Sequence, residues 1–240
     1  MQWYMPILAP YSFITLTGFR HAKQKVKGRN ILGYKNNNYV VFQGVKSLEK
    51  YQSGNFISKY LVKKFMNSII DLVRQTNVHN VNEIGCGEGQ LIGALASLGY
   101  SANGYDICQD SLDTAIRETE RFGLNITYKL KSVYDLDVNS DTSELVLCCE
   151  VLEHLDDPQK ALSIIEKLSN PYFIVSVPRE PIWSLLNMIR GKYLKSFGNT
   201  PGHIQRWSKK SFIDLVSKYA TIIEIRSPLP WTILLCKTHK

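Results

Sequence analysis

The chain has 240 residues, of which 44% are hydrophobic and 21% are charged, so its composition is that of a folded globular protein and excludes a disordered or fibrous one. The length fits one large domain, or one domain with appended segments. Lys and Arg outnumber Asp and Glu by 29 to 21, so parts of the surface should attract anions. The five cysteines form no Cys-x-x-Cys pair, which argues against a disulfide framework or a zinc knuckle and favours the reducing cytoplasm.

The first 45 residues have no clear periodicity, and we interpret residues 1–45 as an extension of unknown role. Residues 3–19 carry no charge, but Pro6 and Pro10 interrupt them and they are shorter than the ~20 apolar residues of a membrane span. They also lack the basic start of a signal peptide. A basic stretch, 21–29, follows without any acidic residue. We therefore predict no membrane span here.

From residue 46 the chain has the pattern of one domain, 46–240, in which a helical segment, 46–78, precedes the first strand. From Asn55, apolar residues recur at the spacing of an amphipathic helix. Strands and helices then alternate, which indicates parallel strands. The predicted strands are 81–84, 101–105, 126–130, 145–148 and 172–177, and the predicted helices are 91–98, 110–122 (capped by Asp110), 158–168 (capped by Asp157) and 209–219 (capped by Ser208).

The last two predicted strands, 222–225 and 232–236, are joined only by a short segment that contains Pro228 and Pro230. No helix fits between them, so we expect an antiparallel hairpin at one edge of the sheet. The sequence thus predicts a seven-stranded, mostly parallel α/β sheet. Ligands of such sheets bind at the carboxyl ends of the strands.

A glycine-rich loop, Gly85-Cys86-Gly87-Glu88-Gly89, follows the first predicted strand of the sheet. Glycines allow a backbone to approach a ligand closely. A dinucleotide site has the pattern Gly-x-Gly-x-x-Gly, which would require glycine at position 90, where this chain has Gln90. The spacing therefore argues against a dinucleotide site.

The shorter loop resembles the first motif of class I S-adenosylmethionine-dependent methyltransferases, which implies a Rossmann-like fold with helices on both faces of the sheet. Asp106 ends the second strand about twenty residues further on, where this architecture binds ribose hydroxyls. A carboxylate there can accept two hydrogen bonds from a diol. The alternative is a generic glycine turn beside a helix-capping aspartate. The cofactor contacts that the resemblance implies are Glu83, Gly85, Cys86, Gly87, Gly89, Asp106, Ile107 and Glu150.

The third strand is followed by Ser132 and Val133, where the family often has an aspartate near the adenine amino group. The Ser132 hydroxyl is able to accept a hydrogen bond from that amine, and the backbone of Val133 to contact the ring. A plain surface turn is the alternative. We keep both residues as candidates for the adenine contact.

After the fourth strand, Cys149 to Pro158 resembles the Glu-Val-Leu-Glu-His-Leu stretch of many small-molecule methyltransferases. In ubiquinone-pathway O-methyltransferases and small-RNA 2′-O-methyltransferases, a Glu-x-x-Glu-His pattern supplies metal ligands. Glu150, Glu153 and His154 match it, and His203 resembles a later histidine of the RNA group. This set would suit Mg²⁺ or a softer divalent ion. Other relatives have the motif without a metal, so a pocket-shaping role is the alternative.

His154 and His203 are also candidates for a general base, since imidazole titrates near neutral pH. His203 could equally hold the segment around it in place. Methyl transfer needs little beyond alignment, because the sulfonium is already activated. No covalent nucleophile is therefore expected.

The segment 178–207 is long, basic and rich in aromatic residues, and we interpret it as a lid over the acceptor. With Tyr51 and Phe56, Trp183 and Trp207 are candidates for the acceptor pocket, the alternative being that they fill the core. Between residues 179 and 210, Glu180 is the only acidic residue. The basic residues there are Arg179, Arg190, Lys192, Lys195, Arg206, Lys209 and Lys210. This charge should attract anions and favours an anionic acceptor, the alternative being plain solvated surface.

No Asn/Asp-Pro-Pro-Tyr motif of amino-methylating enzymes follows the fourth strand, which favours O-methylation of a small-molecule or lipid-like acceptor. A second hypothesis is an RNA 2′-O-methyltransferase that grips phosphates with its basic stretches. A third is a binding module without turnover, although the intact glycine loop and Asp106 argue against it. The sequence gives no indication of the oligomeric state.

Overall fold

The computed structural model of the protein describes residues 25–26, 29–30, 34–36, 39–41 and 56–239. Four short strands lie in the predicted extension and form two antiparallel pairs. They are β1 (Lys25–Val26) with β2 (Arg29–Asn30), and β3 (Tyr34–Asn36) with β4 (Tyr39–Val41). The rest of the extension, including residues 3–19, lies outside the described residues.

The remaining elements alternate as the sequence predicts. The helices are α1 (Phe56–Gln75), α2 (Gln90–Ser97), α3 (Gln109–Arg121), α4 (Pro158–Leu168), α5 (Ile182–Ile189) and α6 (Lys209–Val216). The strands are β5 (Asn80–Ile84), β6 (Ser101–Asp106), β7 (Ile126–Leu130), β8 (Ser143–Cys149), β9 (Ser169–Pro178), β10 (Ala220–Arg226) and β11 (Trp231–Thr238). Within the described part of the chain, no helix combines the length and apolar character needed to cross a bilayer.

The seven longer strands form one sheet in the order β10-β11-β9-β8-β5-β6-β7. Strands β5 to β9 are parallel wherever they pair, whereas β11 pairs antiparallel with both β9 and β10. The predicted mostly parallel sheet with an antiparallel C-terminal hairpin is confirmed. The switch in strand order lies beside β5, whose carboxyl end leads into the glycine loop.

Helices cover both faces of the sheet, and each face has its own hydrophobic core. On β9, Ile174 belongs to the core under α1 and α2, while its neighbours Phe173 and Val175 belong to the core under α4 and α6. Alternate side chains of a strand point to opposite faces, so a strand covered on both sides must be apolar throughout. The predicted arrangement of helices on both faces is therefore confirmed.

Two of the three predicted helix caps are present. The side chain of Asp157 accepts a hydrogen bond from the Lys160 amide at the start of α4, and Ser208 caps α6 in the same way. The predicted cap of α3 is wrong: Cys108 precedes the helix, and Asp110 lies inside its first turn. The carboxylate of Asp106 instead accepts a hydrogen bond from the Cys108 amide at 2.8 Å.

Asp141 lies buried just before β8 and joins several segments of the chain. Its carboxylate accepts hydrogen bonds from Lys131 Nζ at 2.7 Å, from Lys129 Nζ at 3.0 Å and from the Asp137 amide at 3.0 Å. Burial alone would raise the pKa of Asp141, but these bonds outweigh it and lower the pKa well below its ordinary value. The charged form of Asp141 is therefore part of the folded state.

We predict that Asp141→Asn lowers the free energy of unfolding at pH 7 by about 1.5–3 kcal/mol, because charge-assisted hydrogen bonds are lost. A carboxyl whose folded pKa is depressed stabilises the protein above its unfolded pKa of about 3.9, and this contribution is lost as the pH falls through the folded pKa. The difference between wild type and variant, measured by urea unfolding, should stay constant from pH 7 to about 5 and shrink below about 4.

Asp214→Asn is the matched control, since Asp214 pairs with Lys210 on an exposed helix face, where the lysine side chain is 86% exposed. Exposed pairs of this kind contribute little. Equal losses for the two substitutions would contradict the role given to Asp141.

Candidate functional site

The candidate site lies where β5, β6, β8 and β9 end and β11 begins. All three loop glycines have left-handed backbone angles, with φ of 74° at Gly85, 51° at Gly87 and 79° at Gly89. The amides of Gly85 and Cys86 both donate to the carbonyl oxygen of Tyr105, at 2.7 and 3.0 Å, which ties the loop to the end of β6. The loop is thus fixed against the sheet.

Two glycines of the loop differ in what surrounds them. A Cβ atom on Gly85 would overlap the side chain of Val151, whereas a Cβ on Gly87 would have no atom within 4 Å. Packing therefore requires glycine at 85. At Gly87 the backbone faces open space, which is where a ligand can approach it closely.

Asp106 fastens this loop to the start of α3. One of its carboxylate oxygens accepts from the Gly87 amide at 2.7 Å and the other from the Cys108 amide. The residue is only 4% exposed, and burial raises the pKa of its carboxyl although the backbone hydrogen bonds lower it. The amide of Ile107 is a third backbone partner, and a carboxylate with about four lone pairs keeps capacity for a further donor. Ile107 beside it is 63% exposed, so an apolar side chain stands free at this edge of the sheet.

Glu83 and Cys86 face the interior. Glu83 accepts a hydrogen bond from the Ile92 amide at 2.9 Å, and burial raises the pKa of its carboxyl well above the ordinary value. The Cys86 sulfur lies within 2.8 Å of the position that a Cβ on Gly104 would take, so it packs between β5 and β6. The side chains of Glu83 and Cys86 thus support the glycine loop from its buried side.

Ser132 and Val133 form the turn after β7. The Ser132 hydroxyl accepts a hydrogen bond from the Tyr134 amide at 3.3 Å, and Val133 is buried. The hydroxyl keeps its own proton and a second lone pair for another partner.

A tight turn follows β8, with Glu150 at φ 60° and a 3-10 turn at Leu152–His154. Glu153 is 2% exposed, and its Oε2 atom has no hydrogen-bond partner among the described residues. Its backbone carbonyl accepts from the amides of Ile204 and Gln205, at 2.9 and 3.0 Å. The predicted lid is thereby joined to the turn after β8.

These contacts bring Glu153, His154 and His203 together, with one possible ligand atom from each lying within 4.8 Å of the others. The two imidazole rings meet edge to face at 4.8 Å. His154 Nδ1 lies 2.9 Å from the Gly202 carbonyl oxygen, so this nitrogen carries the proton and Nε2 keeps its lone pair. Burial lowers the pKa of both imidazoles, that of His203 to about 4.

Glu150, the fourth candidate ligand, is directed elsewhere. Its Oε1 atom accepts from the Ser176 hydroxyl at 2.8 Å and its Oε2 atom from the Trp231 indole N–H at 2.7 Å. Three of the four candidate metal ligands therefore lie together, and Glu150 instead joins β8, β9 and β11.

A row of aromatic rings leads from α1 to His203. Phe65 and Trp231 are 4.8 Å apart, Trp231 and Trp183 are 6.0 Å apart, and Trp183 lies nearly parallel to the His203 ring at 6.0 Å. We call Phe65, Trp231, Trp183 and His203 the aromatic row. Sequence reasoning found Trp183 and His203 but missed Trp231, whose only signal was its position at the start of a strand.

The other predicted pocket residues lie elsewhere. Trp207 packs against Phe212 in the core under α6, with the ring centroids 5.8 Å apart. Tyr51 and the side chain of Phe56 lie outside the described residues. Within the lid, Trp183 Nε1 donates to the Thr200 hydroxyl and Asn187 to the Gly198 carbonyl, each at 2.9 Å. These bonds fix the lid internally.

Residues 82–172 match the family model described as a methyltransferase domain. Among curated proteins, the chain is 30% identical over 147 residues to a ubiquinone biosynthesis O-methyltransferase of Methylococcus capsulatus. The aligned residues cover 55% of this chain and 62% of the relative. It is 33% identical over 92 residues to the protein of the same name from Coxiella burnetii, and this alignment covers 38% of this chain and 39% of the relative. The chain thus spans less than two thirds of these relatives.

Solved structures show the same fold. The magnesium protoporphyrin IX methyltransferase of Synechocystis, with bound SAH, superposes with a TM-score of 0.60 at 19% identity, covering 77% of this chain and 87% of that one. The methyltransferase domain of a bacterial Hen1 superposes with a TM-score of 0.56 at 21% identity, covering 74% of this chain and 99% of that one. Residues 82–172 thus match a methyltransferase domain, and the fold of the described chain is that of class I S-adenosylmethionine-dependent methyltransferases.

Proposed function

We propose that this protein transfers a methyl group from S-adenosylmethionine to an oxygen atom of a small-molecule acceptor. The observation that carries the proposal is the position of the Gly87–Asp106 contact at the same sheet edge as Glu153, His154 and His203. The names of the ubiquinone biosynthesis relatives support an oxygen acceptor.

In this proposal, the loop glycines approach the methionine part of the cofactor and Asp106 accepts hydrogen bonds from the ribose. The open space at Gly87 and the remaining hydrogen-bonding capacity of Asp106 support these roles. The exposed side chain of Ile107 would cover one face of the adenine. The hydroxyl of Ser132 and the backbone of Val133 would contact the edge of the adenine ring.

The acceptor would lie between the loop and the aromatic row, below the lid. Trp183 and Trp231 offer an apolar wall, and burial keeps the imidazoles of His154 and His203 neutral near pH 7. If no metal ion is bound there, a neutral imidazole is able to take the proton of a hydroxyl as the methyl group is transferred. The exposed Arg190 and Lys195 support an anionic acceptor.

A divalent metal fits Glu153, His154 and His203. The buried Oε2 atom of Glu153 lacks a partner among the described residues, and one carboxylate with two neutral imidazoles is a usual donor set for such ions. When bound, the metal would lower the pKa of the acceptor hydroxyl. His154 would remain oriented by the Gly202 carbonyl, as second-sphere groups orient metal-bound histidines.

A cytoplasmic location is proposed from the five cysteines, all of which are free and four of which are buried. A second candidate function is methylation of RNA, which the exposed cations of the lid favour. Phosphate contacts release counterions, so RNA affinity would fall steeply with salt. Absence of RNA binding at low salt would remove this candidate.

We predict that Gly87→Ala weakens binding of S-adenosylhomocysteine at least tenfold, since the added methyl group points into the space where the cofactor would lie. Isothermal titration measures the affinity. Gly99→Ala is the control, because Gly99 also has a positive φ and open surroundings but follows α2 at the opposite edge of the sheet. Both variants should lose similar stability, about 1–2 kcal/mol. Equal affinities would contradict the cofactor role of the loop.

We predict that EDTA abolishes turnover and that Mg²⁺ or Mn²⁺ restores it, since Glu153, His154 and His203 would hold the ion together. Glu153→Gln should then need a much higher metal concentration for activity. Glu144→Gln, at the opposite edge of the sheet, is the control and should respond as wild type. Full activity in EDTA would exclude the metal and leave His154 as the candidate base.

A further inference from the structure

We propose that Glu150 is a positioning residue that fixes Trp231, and with it the aromatic row, and that it lies outside the ligand set of any metal held by Glu153, His154 and His203. The inference rests on the proposed function, in which the aromatic row lines the acceptor site. It assigns different roles to Glu150 and Glu153, two glutamates of one sequence motif.

Glu150 has hydrogen-bond partners on β9 and β11 that Glu153 does not share. Its φ of 60° is a left-handed conformation that is unfavourable for a non-glycine residue, so the surrounding contacts must hold it there. The Glu150 amide donates to the Ser176 carbonyl at 3.1 Å, which extends the pairing of β8 with β9 by one residue. The side chain is thereby directed across β9 toward β11.

The carboxylate of Glu150 has a hydrogen bond on each oxygen. Trp231 is 3% exposed, and Glu150 is the acceptor of its indole N–H. If Glu150 turned to a metal ion, this buried donor would lose its partner, which is unfavourable for an N–H that water cannot reach. Glu153, in contrast, has a buried oxygen atom with no partner in the described part of the chain.

Trp231 is the ring through which Glu150 acts. It contacts Phe65 of α1 on one side and Trp183 of the lid on the other, and Trp183 lies against His203. A hydrogen bond to the indole selects one orientation of the ring, and neighbouring rings pack against that orientation. Loss of the bond should therefore disorder the aromatic row without removing a metal ligand.

The test uses the full chain and compares Glu150→Gln, Glu150→Ala and Glu153→Gln. A glutamine at 150 is able to accept from Trp231 and donate to Ser176, so it keeps both contacts but is a poor metal ligand. We expect Mn²⁺ affinity, measured with the metal alone by titration calorimetry, to change less than threefold in both Glu150 variants and to fall at least tenfold in Glu153→Gln.

Near-ultraviolet circular dichroism reports the aromatic row. We expect Glu150→Gln to keep the wild-type signal and Glu150→Ala to lose a large part of it, with far-ultraviolet spectra unchanged. Trp231→Phe keeps a ring but removes the donor, so Glu150→Ala should lower the melting temperature less in that background than in wild type. This comparison covers the case in which a single variant is too unstable for spectroscopy.

A fall in Mn²⁺ affinity in Glu150→Gln as large as that in Glu153→Gln would overturn the proposal, as would an unchanged near-ultraviolet signal in Glu150→Ala. If wild type binds no Mn²⁺, the metal part of the proposed function fails. The spectra of Glu150→Gln and Glu150→Ala still decide the positioning role in that case. The two failures are thus distinguishable.

Discussion

The carbonyl oxygen of Glu153 is the point on which the candidate site depends. Two successive amides, of Ile204 and Gln205, donate to it, and they belong to a segment about fifty residues further along the chain. His154 adds a third link through the Gly202 carbonyl. This junction brings His203 beside Glu153 and adds to the contacts that hold the lid on the sheet, such as the bridge between Arg179 and Trp207. Backbone groups at positions 153, 202, 204 and 205, together with the imidazole of His154, thus assemble the cluster.

The second common feature of the site is its buried carboxyl groups. Burial raises the pKa of Glu83, Asp106 and Glu153, and the nearby charge of Asp106 raises that of Glu83 further. Buried carboxylates favour cations, because a positive charge compensates for the water they have lost. The sulfonium of S-adenosylmethionine and a divalent metal ion are both cations. The electrostatics of this edge of the sheet therefore agree with both proposed ligands.

The sequence predicted the sheet well because its signals are local. Apolar runs mark the strands, the glycine loop follows a strand directly, and Asp157 and Ser208 are caps next to the helices they start. The cap of α3 was mispredicted because Asp110 looks like a cap in isolation, whereas Asp106 reaches the helix start across the loop. Local pattern cannot show which of two nearby aspartates reaches an amide.

The candidate site was less predictable, because it depends on contacts between distant residues. Glu150 and Glu153 look alike in the motif, but Glu150 has a left-handed backbone and hydrogen-bond partners that Glu153 lacks. Trp231 enters the site from the last strand, which no motif marks. Its partnership with Glu150 spans 81 positions and follows from the pairing of β9 with β11.

The direction of β11 has a practical consequence for work on this protein. Because β11 is antiparallel to β9, it begins at the candidate site, with Trp231 opposite Pro178, and ends at the other edge of the sheet. An eight-residue strand spans about 25 Å at roughly 3.3 Å per residue. A fluorophore or surface linkage attached after Thr238 would thus be held at the far edge, where it leaves the lid unobstructed. An attachment near Trp231 would lie against the aromatic row.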